Sequence, residues 1–148
     1  MATIEWFEGD RDELQELFEL ADDSPPALAE YRDEGRVLVA RDDERAIVGH
    51  LQLIGAEIKN VAVREERQGE GFGVLLVDRA IAHAREEGMP ELVLSTATAD
   101  TTLLRFYMRR GFRMQRIVRD VFTPANGYPE IAIDGVPMRD QVWLSLEL

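Results

Sequence analysis

The stretch Glu57-Ile58-Lys59-Asn60-Val61-Ala62-Val63-Arg64-Glu65-Glu66-Arg67-Gln68-Gly69-Glu70-Gly71-Phe72-Gly73-Val74 runs from a segment of strand character, Ile58 to Val63, through a glycine-rich turn and straight into a helix. In that helix Val74, Val77, Ile81 and Ala84 recur at three- and four-residue spacing, the pattern of a helix burying one face. A helix start exposes unpaired N–H groups and the positive end of the peptide dipole, and glycines let a polyanion approach the backbone. The order strand, glycine nest, helix therefore reads as a cradle for phosphate or pyrophosphate.

Two familiar cradles do not fit. A P-loop requires G-x-x-x-x-G-K-[ST], so that lysine and a hydroxyl reach phosphate and magnesium; here Gly73 is followed by Val74. A dinucleotide fingerprint requires G-x-G-x-x-G at the opening of a βαβ unit. Gly69-Glu70-Gly71-Phe72-Gly73-Val74 has valine in place of the third glycine and follows what reads as an antiparallel meander.

That meander is built from Val37 to Ala40, Ile47 to Ile54 and Ile58 to Val63, with the charged Arg41 to Arg45 as a hairpin tip and Gly55 as the next turn. Upstream, Ala2 to Phe7 suits a first strand. Asp10 to Leu20 places Leu14, Leu17, Phe18 and Ala21 on one helical face, and Ser24-Pro25-Pro26 opens a second short helix closed by Gly35. Downstream, the long helix ends near Glu87-Gly88 with Pro90 just beyond, and Glu91 to Thr96 is an apolar strand of the buried type, parallel to the strand before the loop. Asp100 caps a helix carrying Leu103, Phe106 and Tyr107 and closed by Arg109-Arg110-Gly111. Phe112 to Phe122 and Gln141 to Leu148 read as final strands around a surface loop, Thr123 to Pro137. The last strand alternates Val142, Leu144, Leu146 and Leu148 and could pair within or between subunits, so a homodimer is one expectation.

A chain of 148 residues suits a single domain, spanning 1–148. It has no cysteine, which removes disulfides, zinc-thiolate sites and a cysteine nucleophile and fits a cytoplasmic protein. No metal site is expected. The net charge of −12 argues against nucleic-acid and anionic-membrane partners, which need a basic surface. No run approaches the ~18 apolar residues of a membrane span, and no targeting segment is visible. Lys59 is the only lysine.

Gln68-x-x-Gly71-x-Gly73 after the strand Asn60-Val61-Ala62-Val63, followed by Tyr107-Met108-Arg109-Arg110-Gly111-Phe112, resembles the GNAT family of N-acetyltransferases in its acetyl-coenzyme A signature and its Y-x-x-x-G-F segment. The resemblance implies an α/β (α+β) fold with a mixed, mostly antiparallel sheet of six to seven strands and helices on both faces. It also implies a cofactor cleft between two parallel strands that begin paired and splay apart, here Ile58 to Val63 and Leu92 to Thr96. The implied activity is transfer of acetyl from acetyl-CoA to a primary amine by direct attack. A non-catalytic acyl-CoA sensor or interaction module with the same fold is the alternative.

On this resemblance, backbone atoms of Val61, Ala62 and Val63 receive the pantetheine arm, and Gln68 orders a loop whose N–H groups, Gly69, Glu70, Gly71, Phe72, Gly73 and Val74, hold the pyrophosphate. Glu70 is the odd member, a carboxylate beside phosphate, expected to point outward; Arg64 and Arg67 are candidate phosphate contacts. Tyr107 is the expected proton donor to the leaving thiolate, and Glu57 the expected base for the ammonium, with His50 as a rival. Where the family commonly has asparagine this chain has Asp100, so a cofactor contact there is open to Thr98 or Thr101 instead. Acceptor specificity is expected from Asp10 to Glu34 and from Thr123 to Pro137, with Asn126, Tyr128 and Glu130 as lining.

Overall fold

A computed structural model of the chain describes residues 2–148. Its centre is one seven-stranded sheet ordered β1-β2-β3-β4-β5-β9-β6. The strands are β1 (Thr3–Trp6), β2 (Arg36–Arg41), β3 (Ile47–Ile54), β4 (Glu57–Val63), β5 (Glu91–Ala97), β6 (Arg113–Val118) and β9 (Gln141–Glu147). All neighbours are antiparallel except β4 and β5, which are parallel and share one register pair, Glu57 with Val93. Beyond that pair the strands part, as the parallel, splayed pair of the expected fold requires.

The sheet is covered on both faces. Helices α1 (Gln15–Ala21) and α2 (Pro25–Tyr31) lie over one, burying Leu14, Leu17, Phe18 and Leu28 against Val37, Val39 and Ala62. Helices α3 (Phe72–Glu86) and α4 (Thr101–Arg109) lie over the other, with Leu76, Val77, Ala80, Ile81, Leu104 and Tyr107 in a larger cluster that includes Leu51, Ile58, Leu92 and Leu144. The buried stripe of α3 begins at Phe72 and Leu76; Val74, expected on that stripe, is half-buried and faces the cleft.

One strand serves both cores by means of a bulge. Gln52 pairs with Asn60 and Leu53 with Ile58, leaving Lys59 as an extra residue in β4. An extra residue reverses the alternation of side chains. Ile58, Val61 and Val63 thus pack with the α3 cluster, while Asn60 and Ala62 face α1 and α2. Nothing in the alternation of Ile58 to Val63 had marked this bulge.

Two further departures concern the end of the chain. β9 lies between β5 and β6, so both its edges are paired within the sheet, and the option of pairing this strand with another subunit is closed. The segment expected to be a plain surface loop holds a turn at Pro124–Asn126 and a small ribbon, β7 (Ala132–Ile133) with β8 (Val136–Pro137). It is docked rather than loose: a Cβ at Gly127, whose φ is +83°, would fall 2.7 Å from Pro26 Cγ and 2.9 Å from Ser24 Oγ. Among the described residues no helix is long and apolar enough to cross a membrane.

Candidate active site

The parting of β4 and β5 opens a cavity of about 880 Å³ that runs from the glycine loop, between the two strands, to the 122–138 segment. β4 pairs with β3 on one edge and β5 with β9 on the other, so beyond the Glu57–Val93 pair the edges facing the gap have no strand partner, and of the β4 carbonyls there only that of Val63 is taken, by the Gln68 side chain. Val61, Ala62 and Val63 line it. Such an edge offers hydrogen bonds to an amide-bearing chain in the manner of an added strand.

At one end stands the loop. Gly69 and Gly71 take φ of +85° and +94°, a region costly for other residues, and Gly71 is the N-cap of α3 with no side chain capping it. The N–H groups of the first turn therefore have no intrahelical partner and face the cavity, which Gln68, Gly69, Gly71, Phe72, Gly73 and Val74 line. Gln68 Nε2 donates to the Val63 carbonyl at 3.0 Å and ties the loop to the end of β4.

Glu70 does not line the cavity. Its carboxylate accepts from Arg67 Nε and Nη2 at 2.9 and 3.2 Å, and Arg67 Nη1 reaches Asp42 at 2.8 Å. This pairing accounts for a carboxylate in an anion-binding loop, and it occupies the one loop arginine that borders the cavity. Arg64 is turned away, its Nε donating to the Ile47 carbonyl at 2.9 Å. Glu70→Gln should release part of the Arg67 guanidinium and remove a repulsive charge, so cofactor should bind severalfold tighter at low salt and the gain should shrink as salt screens it. Calorimetric titration at two ionic strengths checks this; equal or weaker binding at low salt would count against it.

Tyr107 lies on α4 with its ring edge-on to Phe106 and Phe112 and only 6% of its surface exposed. It borders the cavity, and among the described residues nothing hydrogen-bonds its hydroxyl. Burial, reinforced by the charge of Asp100, raises its pKa well above the ordinary phenol value. The hydroxyl thus stays a donor at any physiological pH. Asp100 caps α4 by accepting from Leu103 N at 3.1 Å and borders the cavity, as does Thr102. Thr98 and Thr101, the expected substitutes, do not border it.

The two candidate bases separate. Glu57 sits at the apex of the V, where β4 and β5 are still paired, with Lys59 Nζ 3.8 Å from its carboxylate; the cavity wall begins one residue later, at Ile58. His50 is fully buried behind β4 against Phe18, away from the cavity. Its Nε2 lies 2.7 Å from Asn60 Oδ1; Asn60 Nδ2 donates to the Phe18 carbonyl and Tyr31 hydroxyl, and Tyr31 donates to Asp22 at 2.6 Å. With Asn60 Oδ1 as acceptor, His50 carries its proton on Nε2.

Burial pushes the His50 pKa down to about 4 from 6.5, against the opposing Asn60 hydrogen bond. A lowered histidine pKa means that folding favours the neutral ring. The stabilisation is complete above the unfolded value and drains away as pH falls from about 6.5 towards 4, on the order of 3 kcal/mol in all. His50→Gln should flatten the stability profile in this window. Urea midpoints at several pH values would measure it, and parallel profiles for the two proteins would refute it.

The far end of the cavity was only partly foreseen. Tyr128 lines it, but Asn126 spends its amide on the Asp120 and Val121 carbonyls, at 3.2 and 2.9 Å, and Glu130 is exposed and outside the lining. Leu20, Phe122, Ile131, Ile133 and Met138 supply apolar walls that no motif marked. Asp22 and Asp23, from the α1–α2 connection, border the same space with Tyr31. Partial burial and the neighbouring Asp22 raise the Asp23 pKa, and burial followed by Asp22 pushes Tyr128 up to about 12. Gln52 holds this corner in place, its buried amide donating to the Tyr31 and Glu34 carbonyls at 2.8 and 2.9 Å. Among the described residues no group of His, Asp and Glu side chains could hold a metal ion.

A split parallel pair above a glycine-capped helix start is the donor-binding frame of an acetyltransferase, and the chain matches the acetyltransferase (GNAT) family over residues 2–112; it belongs to that family. Over 150 aligned residues it is 37% identical to YvbK, an uncharacterized N-acetyltransferase of Bacillus subtilis, covering 98% of this chain and 96% of the relative. A GNAT acetyltransferase of Elizabethkingia anophelis with acetyl-CoA bound superposes with a TM-score of 0.90 at 29% identity, covering 99% of this chain and 98% of the other. A Bacillus subtilis acetyltransferase in complex with CoA gives 0.89 at 33% identity over 100% and 99%.

Proposed function

We propose that the protein is an N-acetyltransferase that moves acetyl from acetyl-CoA to a primary amine by direct attack within a ternary complex. The observation that carries this reading is one continuous cavity with different chemistry at its two ends. The loop N–H groups and the free β4 edge suit a pyrophosphate and its pantetheine arm. Asp22 and Asp23 at the other end suit an ammonium group, with aromatic and aliphatic walls for the body of the acceptor. The ligands named for the Elizabethkingia and Bacillus structures, acetyl-CoA and CoA, support the same donor here.

An alkylamine with a pKa near ~10 arrives charged and must lose a proton before it attacks. Glu57, at the apex, is the proton acceptor in this reading. Attack on the thioester carbonyl carbon expels a thiolate, and the Tyr107 hydroxyl donates to the sulfur as charge develops. The chain has no cysteine to carry an acyl-enzyme intermediate.

Calorimetric titration with acetyl-CoA, followed by a screen of amines for thiol release, tests the reading. Saturable binding and turnover with at least one amine are expected. No binding at millimolar cofactor would sink it, and binding without turnover on any amine would favour an acyl-CoA sensor.

A further inference from the structure

We propose that Lys59 is a site of self-acetylation, taking the acetyl group of acetyl-CoA bound in its own chain. The inference rests on the donor-binding reading above and adds a second acceptor to it, one built into the fold.

Lys59 is the only lysine of the chain, and it stands in the wall of the cavity. It is the bulged residue of β4, two positions beyond Glu57, where β4 has just parted from β5. A pantetheine arm anchored at the loop and laid along the free edge of β4 brings its acetyl end towards that apex. The strand advances only ~3.3 Å per residue, so the thioester and Lys59 occupy neighbouring levels of the cleft. The lysine stem is flexible and its ammonium is a compact point charge. Nζ lies 3.8 Å from Glu57 Oε2 and 4.8 Å from the centre of the Tyr31 ring, on the side of the sheet where α2 and the acceptor end of the cavity lie. An amine and a buried hydroxyl on Tyr107 therefore border the space between the split strands, and the Glu57 carboxylate that receives the amine's proton stands at its apex, next to Lys59.

The step balances without any other reagent. Glu57 takes one proton from the Lys59 ammonium, and the freed nitrogen lone pair attacks the thioester carbonyl carbon. The C–N bond forms and the C–S bond breaks. The sulfur leaves as thiolate and is protonated through Tyr107, which recovers its proton from the second N–H of the new amide nitrogen. The products are N-acetyl-lysine, free CoA thiol and one proton passed from Glu57 to solvent.

The reaction stops after one turnover, because an amide is no longer a nucleophile. It also abolishes the Lys59–Glu57 ion pair and places an uncharged acyl group in the wall of the acceptor space. A bound external amine competes with it for the same thioester. Self-acetylation therefore marks chains that held the donor without an acceptor.

The experiment is incubation of the full chain with acetyl-CoA and no added amine, followed by intact mass and peptide mapping. One acetyl group on Lys59 is expected, with loss of the only tryptic cleavage after lysine. The rate per chain should not change on dilution. Lys59→Arg should show no incorporation, and Glu57→Gln should slow it at neutral pH. An unmodified Lys59 in protein that binds acetyl-CoA by calorimetry would overturn the inference and leave the donor reading standing. Equal modification of the urea-unfolded chain, a rate that rises with protein concentration, or an unchanged rate in Glu57→Gln would each overturn the step as written. A chain that binds no acetyl-CoA would overturn both readings together.

Discussion

Replacing Tyr107 with phenylalanine is expected to lower kcat by roughly 10²-fold while leaving acetyl-CoA affinity almost unchanged. The ring is held by Phe106 and Phe112, and phenylalanine keeps that packing. What disappears is one hydroxyl, which has no hydrogen-bond partner among the described residues and so leaves none unpaired when removed. Loss confined to kcat is the signature of an interaction made only as charge develops in the transition state. Steady-state kinetics with the best amine, set beside calorimetric binding of the cofactor, separate the two quantities. Unchanged turnover would take Tyr107 out of the proton-donor role, and an equal loss in binding would recast it as part of the cofactor wall.

Gly71→Asp is expected to weaken acetyl-CoA binding by on the order of 10²-fold or more. A carboxylate ~5 Å from a phosphate, at an effective dielectric of ~20, costs about 3 kcal/mol. The φ of +94° adds about 1–2 kcal/mol of backbone strain for any residue with a Cβ. The fold itself has room, because a Cβ at Gly71 meets no protein atom within 4 Å. The variant should therefore remain folded by circular dichroism while binding fails. Gly71→Ala separates the contributions, since it carries the strain without the charge. Wild-type affinity in folded Gly71→Asp would show that the pyrophosphate does not lie on this helix start.

The difference between what was legible in the sequence and what was not follows the range of the physics involved. Gln68, Gly71 and Asp100 act within a few residues of themselves, by a tie to the end of β4, by φ and by a helix cap. Their roles could be read from neighbours only a few positions away. The bulge at Lys59 could not, since an extra residue in β4 exists only by comparison with β3. Asp22, Asp23, Tyr31 and Met138 form one surface only because α1, α2 and the 122–138 segment converge from three parts of the chain. Nor could alternation alone tell that His50 faces α1 and not the cleft, since both environments bury a strand residue.

The position of β9 bears on how the molecule assembles. Strand β6 leaves the ribosome before β9, yet in the finished sheet β9 separates it from β5. Until β9 arrives, β5 and β6 each present an unpaired edge, and the two are joined by a single short helix. Direct pairing of β5 with β6 would be the locally easy arrangement, and it would have to open before β9 could enter between them. The wall of the cleft that carries β5 is thus completed by residues distant in sequence and late in synthesis. Substitutions that weaken β9, at Val142 or Leu144 for example, should therefore be felt first as lost yield of folded protein, before any change in the chemistry of the chains that succeed.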